Sequence, residues 1–234
     1  MAIDRLRNAW ATYANLRTYQ DETRVSVETG AGLRRSSLDV PFEFIWRRPD
    51  QCAWRFLGHT LICDGRTLWQ YQTGVSPGWR QARSSGELGM GQILMADPVT
   101  RLAGHTLVFR QLVARGSAEL TSDLREVRWL GEDRTEAGDV DVIGSEDAGG
   151  TQITYWIGRK DSLIHKIVTD YTQAQGGGPV DATWPDGASR LIERHKYIRI
   201  NRSVRARAFR PDVPTAPYPP PKERRDYRGW PVGF

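Results

Sequence analysis

One segment of the sequence comes near to a catalytic motif, residues 74–78, Gly-Val-Ser-Pro-Gly. It matches the G-x-S-x-G nucleophile elbow, in which a serine stands on a sharp turn between a strand and a helix. Here a proline follows Ser76 directly, and no helical pattern begins before Gly86. The strand–helix alternation of a hydrolase fold is also missing from the rest of the sequence. The pattern therefore favours a hairpin loop over a hydrolase site.

The histidines and cysteines lack the spacing of a metal site. Two cysteines are too few for a structural zinc site, and the four histidines are scattered singly, at His59, His105, His165 and His195. Histidines of this kind are expected on the surface or within strands. The sequence therefore predicts no catalytic residue, no metal and no cofactor.

Cys52 and Cys63 fall on neighbouring strands of one predicted hairpin. A turn at residues 58–59 places Trp54 opposite Cys63, with Cys52 diagonal to it on the same face. A disulfide then needs a shift of the strand register, because bonded cysteines have Cα atoms about 4.4–6.8 Å apart. A bridge and a pair of buried free thiols are both open, and a bridge would indicate an oxidising compartment.

Charge is distributed unevenly along the chain. The 33 basic and 28 acidic residues give a net charge of +5, yet residues 193–228 alone carry 11 basic and four acidic residues. The sequence therefore combines a near-neutral domain with a basic C-terminal end. Basic segments attract phosphate, either of nucleic acid or of anionic lipid. The alternative is that arginine is simply the solvating residue here, since 29 arginines stand beside four lysines.

The spacing of apolar residues changes from about 3.6 to 2 after the first helix. Residues 3–16 have helical spacing, and short alternating segments separated by turn residues follow from Tyr19 onward. Such a series is typical of an antiparallel meander. A short helical insertion is predicted at 86–103. The expected fold class is α+β, mainly β, with one large antiparallel sheet, an N-terminal helix and a short helical insertion.

The clearest alternation, at 38–46, predicts a half-buried strand with one apolar face. The next strand adds two aromatic residues to this face, whose members are Leu38, Val40, Phe42, Phe44, Trp46, Trp54 and Phe56. Apolar residues of the insertion would cover them, namely Leu88, Leu94, Met95, Val99 and Leu102. A large apolar face with only short helices above it is either a closed core or the floor of an apolar groove.

The C-terminal end differs in composition from the rest. Residues 211–221 contain six prolines in eleven positions, which indicates an extended segment at the surface. We therefore expect a domain over 1–203 and a peripheral tail over 204–234. No apolar run approaches the roughly 18–20 residues of a membrane-spanning helix, and the first residues have no apolar segment of the signal-peptide type.

Four segments follow one another in a recognisable order: 16–22 (Leu-Arg-Thr-Tyr-Gln-Asp-Glu), 47–50 (Arg-Arg-Pro-Asp), 64–71 (Asp-Gly-Arg-Thr-Leu-Trp-Gln-Tyr) and 156–166 (Trp-Ile-Gly-Arg-Lys-Asp-Ser-Leu-Ile-His-Lys). Together they resemble the predicted-periplasmic branch of the LolA/LppX-like superfamily of bacterial envelope proteins, in which similar motifs recur in this order. The resemblance covers about residues 3–203. Gly158-Arg159 stands where the family usually has an acid, and the proline- and arginine-rich tail is not a family feature.

The resemblance implies a strongly curved, half-open β-barrel with helices on its inner side. It also implies a non-enzymatic carrier or sorting-like protein of the periplasm or cell envelope, whose cavity takes a lipid or the acyl chains of a lipoprotein. The apolar face and its cover would then be the ligand-binding residues. The alternative is an interaction module with a self-filled core, whose basic tail docks on an anionic membrane. Nucleic acid is not an expected partner.

Overall fold

A computed structural model describes residues 1–29, 36–56, 58–72, 79–83, 108, 112, 124–147, 149–172 and 188–211. The chain begins with one helix, α1, at Ala2–Ala14. The strands that follow are β1 Thr18–Thr29, β2 Ser36–Arg47, β3 Gln51–Phe56, β4 His59–Asp64, β5 Thr67–Gln72, β6 Trp79–Arg83, β7 Leu124–Thr135, β8 Gly138–Asp147, β9 Gln152–Gly158, β10 Ile164–Asp170 and β11 Ala188–Ile200. A 3-10 helix at Ala206–Phe209 is the last element among the described residues.

All the strands belong to one curved, unclosed antiparallel sheet. Its order is β6-β5-β4-β3-β2-β1-β11-β10-β9-β8-β7, so two meanders of consecutive strands meet where β1 pairs with β11. Strands β6 and β7 form the two edges. This architecture confirms the predicted fold class, mainly β with an N-terminal helix. No helix in the described ranges is long and apolar enough to cross a membrane.

Helix α1 packs one face against the sheet. Leu6, Trp10 and Tyr13 recur at three- and four-residue spacing, and all three are buried. Beside them, the Arg5 guanidinium donates to the carboxylate of Asp141 on β8 at 2.7 Å. The apolar stripe and the ion pair together hold the helix on what we call the inner face of the sheet.

The inner face carries the main hydrophobic core. On β2 the predicted alternation is confirmed, because Val40, Phe42, Phe44 and Trp46 are all buried. The backbone of Leu38 belongs to β2, and its side chain lies outside the described part of the structure. Strand β3 extends the same face, because Phe44 pairs with Trp54 and Phe42 with Phe56 across the ladder, and both β3 aromatics are buried.

The outer face has a small core of its own. Phe209 is 1% exposed and packs against Ala53 and Ile62. The Arg47 guanidinium lies 4.7 Å from the centroid of the Phe209 ring, at cation–π distance. Val204 and Ala208 pack against the same small core. The division into a domain over 1–203 and a tail over 204–234 stays a prediction.

Two variants should distinguish the contribution of this small core to stability from that of the tail that follows it. We expect Phe209→Ala to lower the free energy of unfolding by about 3 kcal/mol, because buried phenylalanines cost about 3–5 kcal/mol when cut to alanine. Deletion of residues 212–234 should cost under about 0.5 kcal/mol, as surface changes usually do. Urea denaturation measures both. A deletion that costs more than Phe209→Ala would show that the tail completes the core.

Candidate functional site

The cover of the inner face comes from the connection between the two sheet edges. The chain leaves β6 at Arg83 on one edge and enters β7 at Leu124 on the other. Between them, Val108 and Leu112 are described, both in helical conformation and four residues apart. Both are buried in the main core. The connection between opposite edges therefore covers the inner face through these two side chains.

The predicted cover residues are not the ones that the structure describes. Sequence patterns favoured an insertion at 86–103, with Leu88, Leu94, Met95, Val99 and Leu102 as its apolar residues. These five lie outside the described residues, so their role stays a prediction. The same is true of Ser76. Val108 and Leu112 lie in a stretch whose pattern fits helix and strand alike, and spacing alone gave no reason to choose them.

A cavity of about 10 Å³ lies between this cover and the sheet. Its apolar wall contains three of the predicted binding residues, Phe42, Phe44 and Trp54, together with Val108 of the cover. Val40, Trp46 and Phe56 are buried in the same core cluster around it. The volume is close to that needed for one water molecule. This cavity therefore has room for little more than a single water molecule.

The aromatic wall is built from cross-strand pairs. The rings of Phe44 and Trp54 stack with centroids 4.9 Å apart, and those of Phe42 and Phe56 stack at 4.7 Å. Directly opposite residues on neighbouring strands lie close enough for such contacts, which add about 0.5–1.5 kcal/mol each beyond their area burial. The alternation of β2 and β3 thus positions the wall.

The cavity also has a polar side, formed by Asp21, Thr23 and His195 on the strands next to the aromatic wall. The ring Nδ1 of His195 lies 2.6 Å from Asp21 Oδ2, and both side chains are 1% exposed. The same oxygen accepts hydrogen bonds from Thr23 at 2.7 Å and from the Tyr19 hydroxyl at 2.9 Å. The pairing of β1 with β11 creates this cluster, because it places Thr23 opposite His195.

Glu193 brings a second carboxylate to the cluster. It is fully buried, and its Oε2 lies 3.7 Å from Nε2 of His195. Burial by itself lowers the pKa of His195, but the hydrogen bond with Asp21 and the charges of Asp21 and Glu193 outweigh it. The pKa of His195 therefore lies above its ordinary value, which favours an imidazolium between two carboxylates.

Sequence patterns did not reveal this cluster, because His195 stands apart from the other histidines along the chain. A signal was nevertheless present in the alternation of β1, where Tyr19, Asp21, Thr23 and Val25 occupy successive inward positions. A carboxylate in such a series must be either paired or functional, because an unpaired buried charge is costly.

The connectivity of the cluster differs from that of a catalytic triad. In a triad the acid and the nucleophile contact opposite ring nitrogens of the histidine. Here Asp21 and Thr23 both contact Nδ1 of His195, Asp21 through Oδ2 at 2.6 Å and Thr23 through its hydroxyl at 2.9 Å. Among the residues that the structure describes, no group of three or more His, Cys, Asp or Glu is arranged to hold a metal ion. The cluster therefore lacks the geometry of a catalytic triad.

The histidine should make stability depend on pH. Because folding raises the pKa of His195, its contribution is complete below about pH 6.5, the value of an unperturbed histidine. The contribution is lost as pH rises through the folded-state value. We therefore expect the free energy of unfolding, measured in urea, to fall as the pH rises above about 6.5. A His195→Gln variant should show a flatter profile, and an equal slope in both proteins would contradict this.

The two cysteines lie closer in register than the sequence suggested. Phe56 pairs with His59, so the turn is centred one residue earlier than predicted and Cys52 lies directly opposite Cys63. Both thiols are free and buried. Burial raises the pKa of Cys63 to about 11 and that of Cys52 well above its usual range. Buried thiols of this kind react slowly.

Direct pairing makes oxidation to a disulfide feasible, because opposed residues have Cα atoms about 4.5–5.5 Å apart. We expect mild oxidation of the folded protein to remove two hydrogens, a loss of about 2 Da by intact-mass spectrometry. Cys52→Ser should abolish the loss. If the unfolded protein alone forms the bond, the native geometry does not allow it.

No protein-family model matches the sequence, and no curated protein matches it either. Similar solved structures include the lipoprotein LppX of Mycobacterium tuberculosis, with a TM-score of 0.48, 10% identity and coverage of 88% of this chain and 97% of that chain. A LolA superfamily protein of Nitrosomonas europaea has a TM-score of 0.37, 11% identity and coverage of 88% and 97%. The MucA/MucB complex of Pseudomonas aeruginosa has a TM-score of 0.40, 13% identity and coverage of 90% and 60%.

LppX and the LolA superfamily, which the four sequence segments resemble, are thus also found among the similar structures. At identities of 10–13% and TM-scores below 0.5, these likenesses carry no argument about function.

Proposed function

We propose that the protein binds the acyl chain of a lipid or lipoprotein between the inner face and its cover, as a non-enzymatic carrier of the bacterial periplasm or cell envelope. The observation that supports this best is the position of the cover. Val108 lines the cavity beside the aromatic wall, and Leu112 is buried in the same core cluster. Both belong to a connection between opposite sheet edges. Neither residue takes part in a strand ladder. Displacing them would expose the wall without breaking sheet hydrogen bonds.

The affinity to expect follows from the number of CH₂ groups that the apolar wall removes from water. Each CH₂ group removed from water contributes about 0.8 kcal/mol, so about ten such groups contribute roughly 8 kcal/mol. That corresponds to a Kd of about 1 μM. Moving the cover costs free energy and weakens binding. Shorter chains bury fewer CH₂ groups to offset this cost. We therefore expect micromolar binding of ligands with ten or more carbons.

A hydrocarbon probe tests the proposal directly, because it has no polar group to recognise. Diphenylhexatriene should gain fluorescence on titration with the protein, with a Kd of about 1 μM. Val108→Glu and Met95→Glu should weaken binding at least tenfold while the protein stays folded. Leu130→Glu provides the control, since Leu130 is exposed on β7. Absence of binding to the folded wild type would exclude the carrier.

The small cavity favours a second candidate, an interaction module. At this cavity of about 10 Å³, side chains of the protein itself fill the space beside the aromatic wall. The basic C-terminal end would then dock on anionic membrane, since each basic residue near such a surface contributes about 1 kcal/mol. Co-sedimentation with anionic vesicles should be lost at high salt and absent with neutral vesicles. A module would show this binding and none of the hydrocarbon probe.

A further inference from the structure

We propose that one arginine-rich end of the sheet docks the folded domain on a membrane surface that carries anionic phospholipids. We call this end the arginine surface. It contains six exposed arginines: Arg17, Arg48, Arg202, Arg205, Arg207 and Arg210. The inference goes beyond the proposed function, because it concerns the outside of the domain and holds with or without a ligand at the inner face. It also differs from docking through the proline-rich tail, because all six arginines precede that tail in the sequence.

Hydrogen bonds bring three segments of the chain together at the arginine surface. The backbone N–H of Arg48 donates to the carbonyl of Arg17 at 2.9 Å, and the hydroxyl of Thr18 donates to the carbonyl of Arg202 at 2.8 Å. The side-chain oxygen of Asn201 accepts from the backbone N–H of Arg17 at 2.8 Å. The turn between β2 and β3, the start of β1 and the segment after β11 therefore meet at one end of the sheet.

The segment after β11 is fixed on the domain by the small outer core. Phe209 is buried against Ala53 and Ile62, and the Arg47 guanidinium donates to the carbonyl of Val204 at 3.2 Å. The arginines of this segment are therefore carried by a backbone that is already ordered. An ordered backbone loses little conformational entropy when its side chains bind a partner.

The positive charge of the arginine surface is not neutralised by nearby carboxylates. The sequence contains no acidic residue between Glu193 and Asp212. Asp50 follows Arg48 by two residues, but its carboxylate lies against Gly65 of the next turn. Within the described part of the chain, none of the six arginines forms an ion pair. Like charges held together repel one another, and an anionic partner would remove this repulsion.

Phospholipid head groups match the chemistry and the layout of the arginine surface. A guanidinium group is always charged and can bind two phosphate oxygens at once. A membrane presents many phosphates across a plane, so arginines from three segments can bind it at the same time. Each basic residue close to an anionic membrane raises affinity about fivefold. Several arginines are therefore sufficient for reversible docking.

Two double variants of the full chain, with the same change in net charge, test the arginine surface. Arg17→Glu/Arg202→Glu reverses two members whose side chains form no hydrogen bond with a described residue. Arg125→Glu/Arg128→Glu is the matched control, because both arginines are exposed on the edge strand β7. Co-sedimentation with vesicles of phosphatidylglycerol and phosphatidylcholine measures binding. We expect the first variant to weaken it at least about tenfold and the control less than about threefold, because salt screens charges far from the membrane.

Equal losses in the two variants would mean that only net charge matters, and they would overturn the arginine surface. Equal binding of the wild type to vesicles of phosphatidylcholine alone would also overturn it. Inorganic phosphate should compete no better than chloride at equal ionic strength, since stronger competition would indicate a site for a single anion. Tighter binding of duplex DNA than of the anionic vesicles would replace the membrane by nucleic acid.

A second variant and a second measurement keep the result decisive. If Arg17→Glu/Arg202→Glu does not fold, Arg205→Gln/Arg207→Gln tests the same surface, and we expect it to weaken vesicle binding about fivefold or more. Titration of diphenylhexatriene with the same variants should give the wild-type affinity, because the arginine surface lies outside the inner face. Loss of vesicle binding and loss of probe binding are therefore observed separately.

Discussion

Replacement of Asp21 by alanine is expected to lower the free energy of unfolding by about 3–5 kcal/mol, the usual cost of removing one partner from a buried ion pair. The Oδ2 atom of Asp21 accepts from Tyr19 and Thr23 and lies 2.6 Å from the His195 ring. Its loss leaves two hydroxyl groups and an imidazolium without their acceptor. Urea denaturation at pH 6 measures the change.

Asp39 provides a matched control on the neighbouring strand. It also pairs with a cation, Arg24, at 2.6 Å, but on the exposed outer face. Exposed ion pairs contribute about 0–1 kcal/mol, so Asp39→Ala should cost less than about 1 kcal/mol. Similar losses in the two variants would mean that Asp21 is solvated like Asp39 and that no buried cluster exists at the cavity.

Truncation of Trp54 to alanine should also cost about 3–5 kcal/mol, because large buried aromatic side chains leave cavities that the core cannot fill. Trp54 is 1% exposed and stacks on Phe44 in the aromatic wall. Chemical denaturation gives the loss of stability. Trp129→Ala, at a tryptophan 39% exposed on β7, should change stability by about 0.5 kcal/mol or less. Equal effects would show that the aromatic wall does not depend on Trp54.

The sequence was informative wherever the alternation of one strand decides the structure. On β2, apolar residues stand at every second position from Val40 to Trp46, and all of those positions are buried. A strand with one buried face has to keep this pattern, because a shift by one residue would turn every side chain to the other face. For the same reason, the apolar wall of the cavity was predictable from the spacing of residues alone.

Prediction failed where a contact depends on distant segments or on the geometry of a turn. Asp21 and His195 are 174 residues apart, and neither strand indicates that it pairs with the other. The register of Cys52 depends on whether the two-residue turn of its hairpin begins at 57 or 58, and the alternation of the flanking strands allows both. Gly58 adopts a positive φ of 76°, which only a glycine does readily, and this favours the earlier turn.

The pairing of β1 with β11 affects the order in which the sheet folds. Each meander is built from hairpins between consecutive strands, so each can form through local contacts, which close quickly. The pairing of β1 with β11 instead brings together Tyr19 and Ile200, near the two ends of the described domain. Closing so long a loop costs more entropy and is expected late in folding. The polar cluster would then assemble only as the two halves dock, so its three ionisable groups stay in water until the sheet is nearly complete.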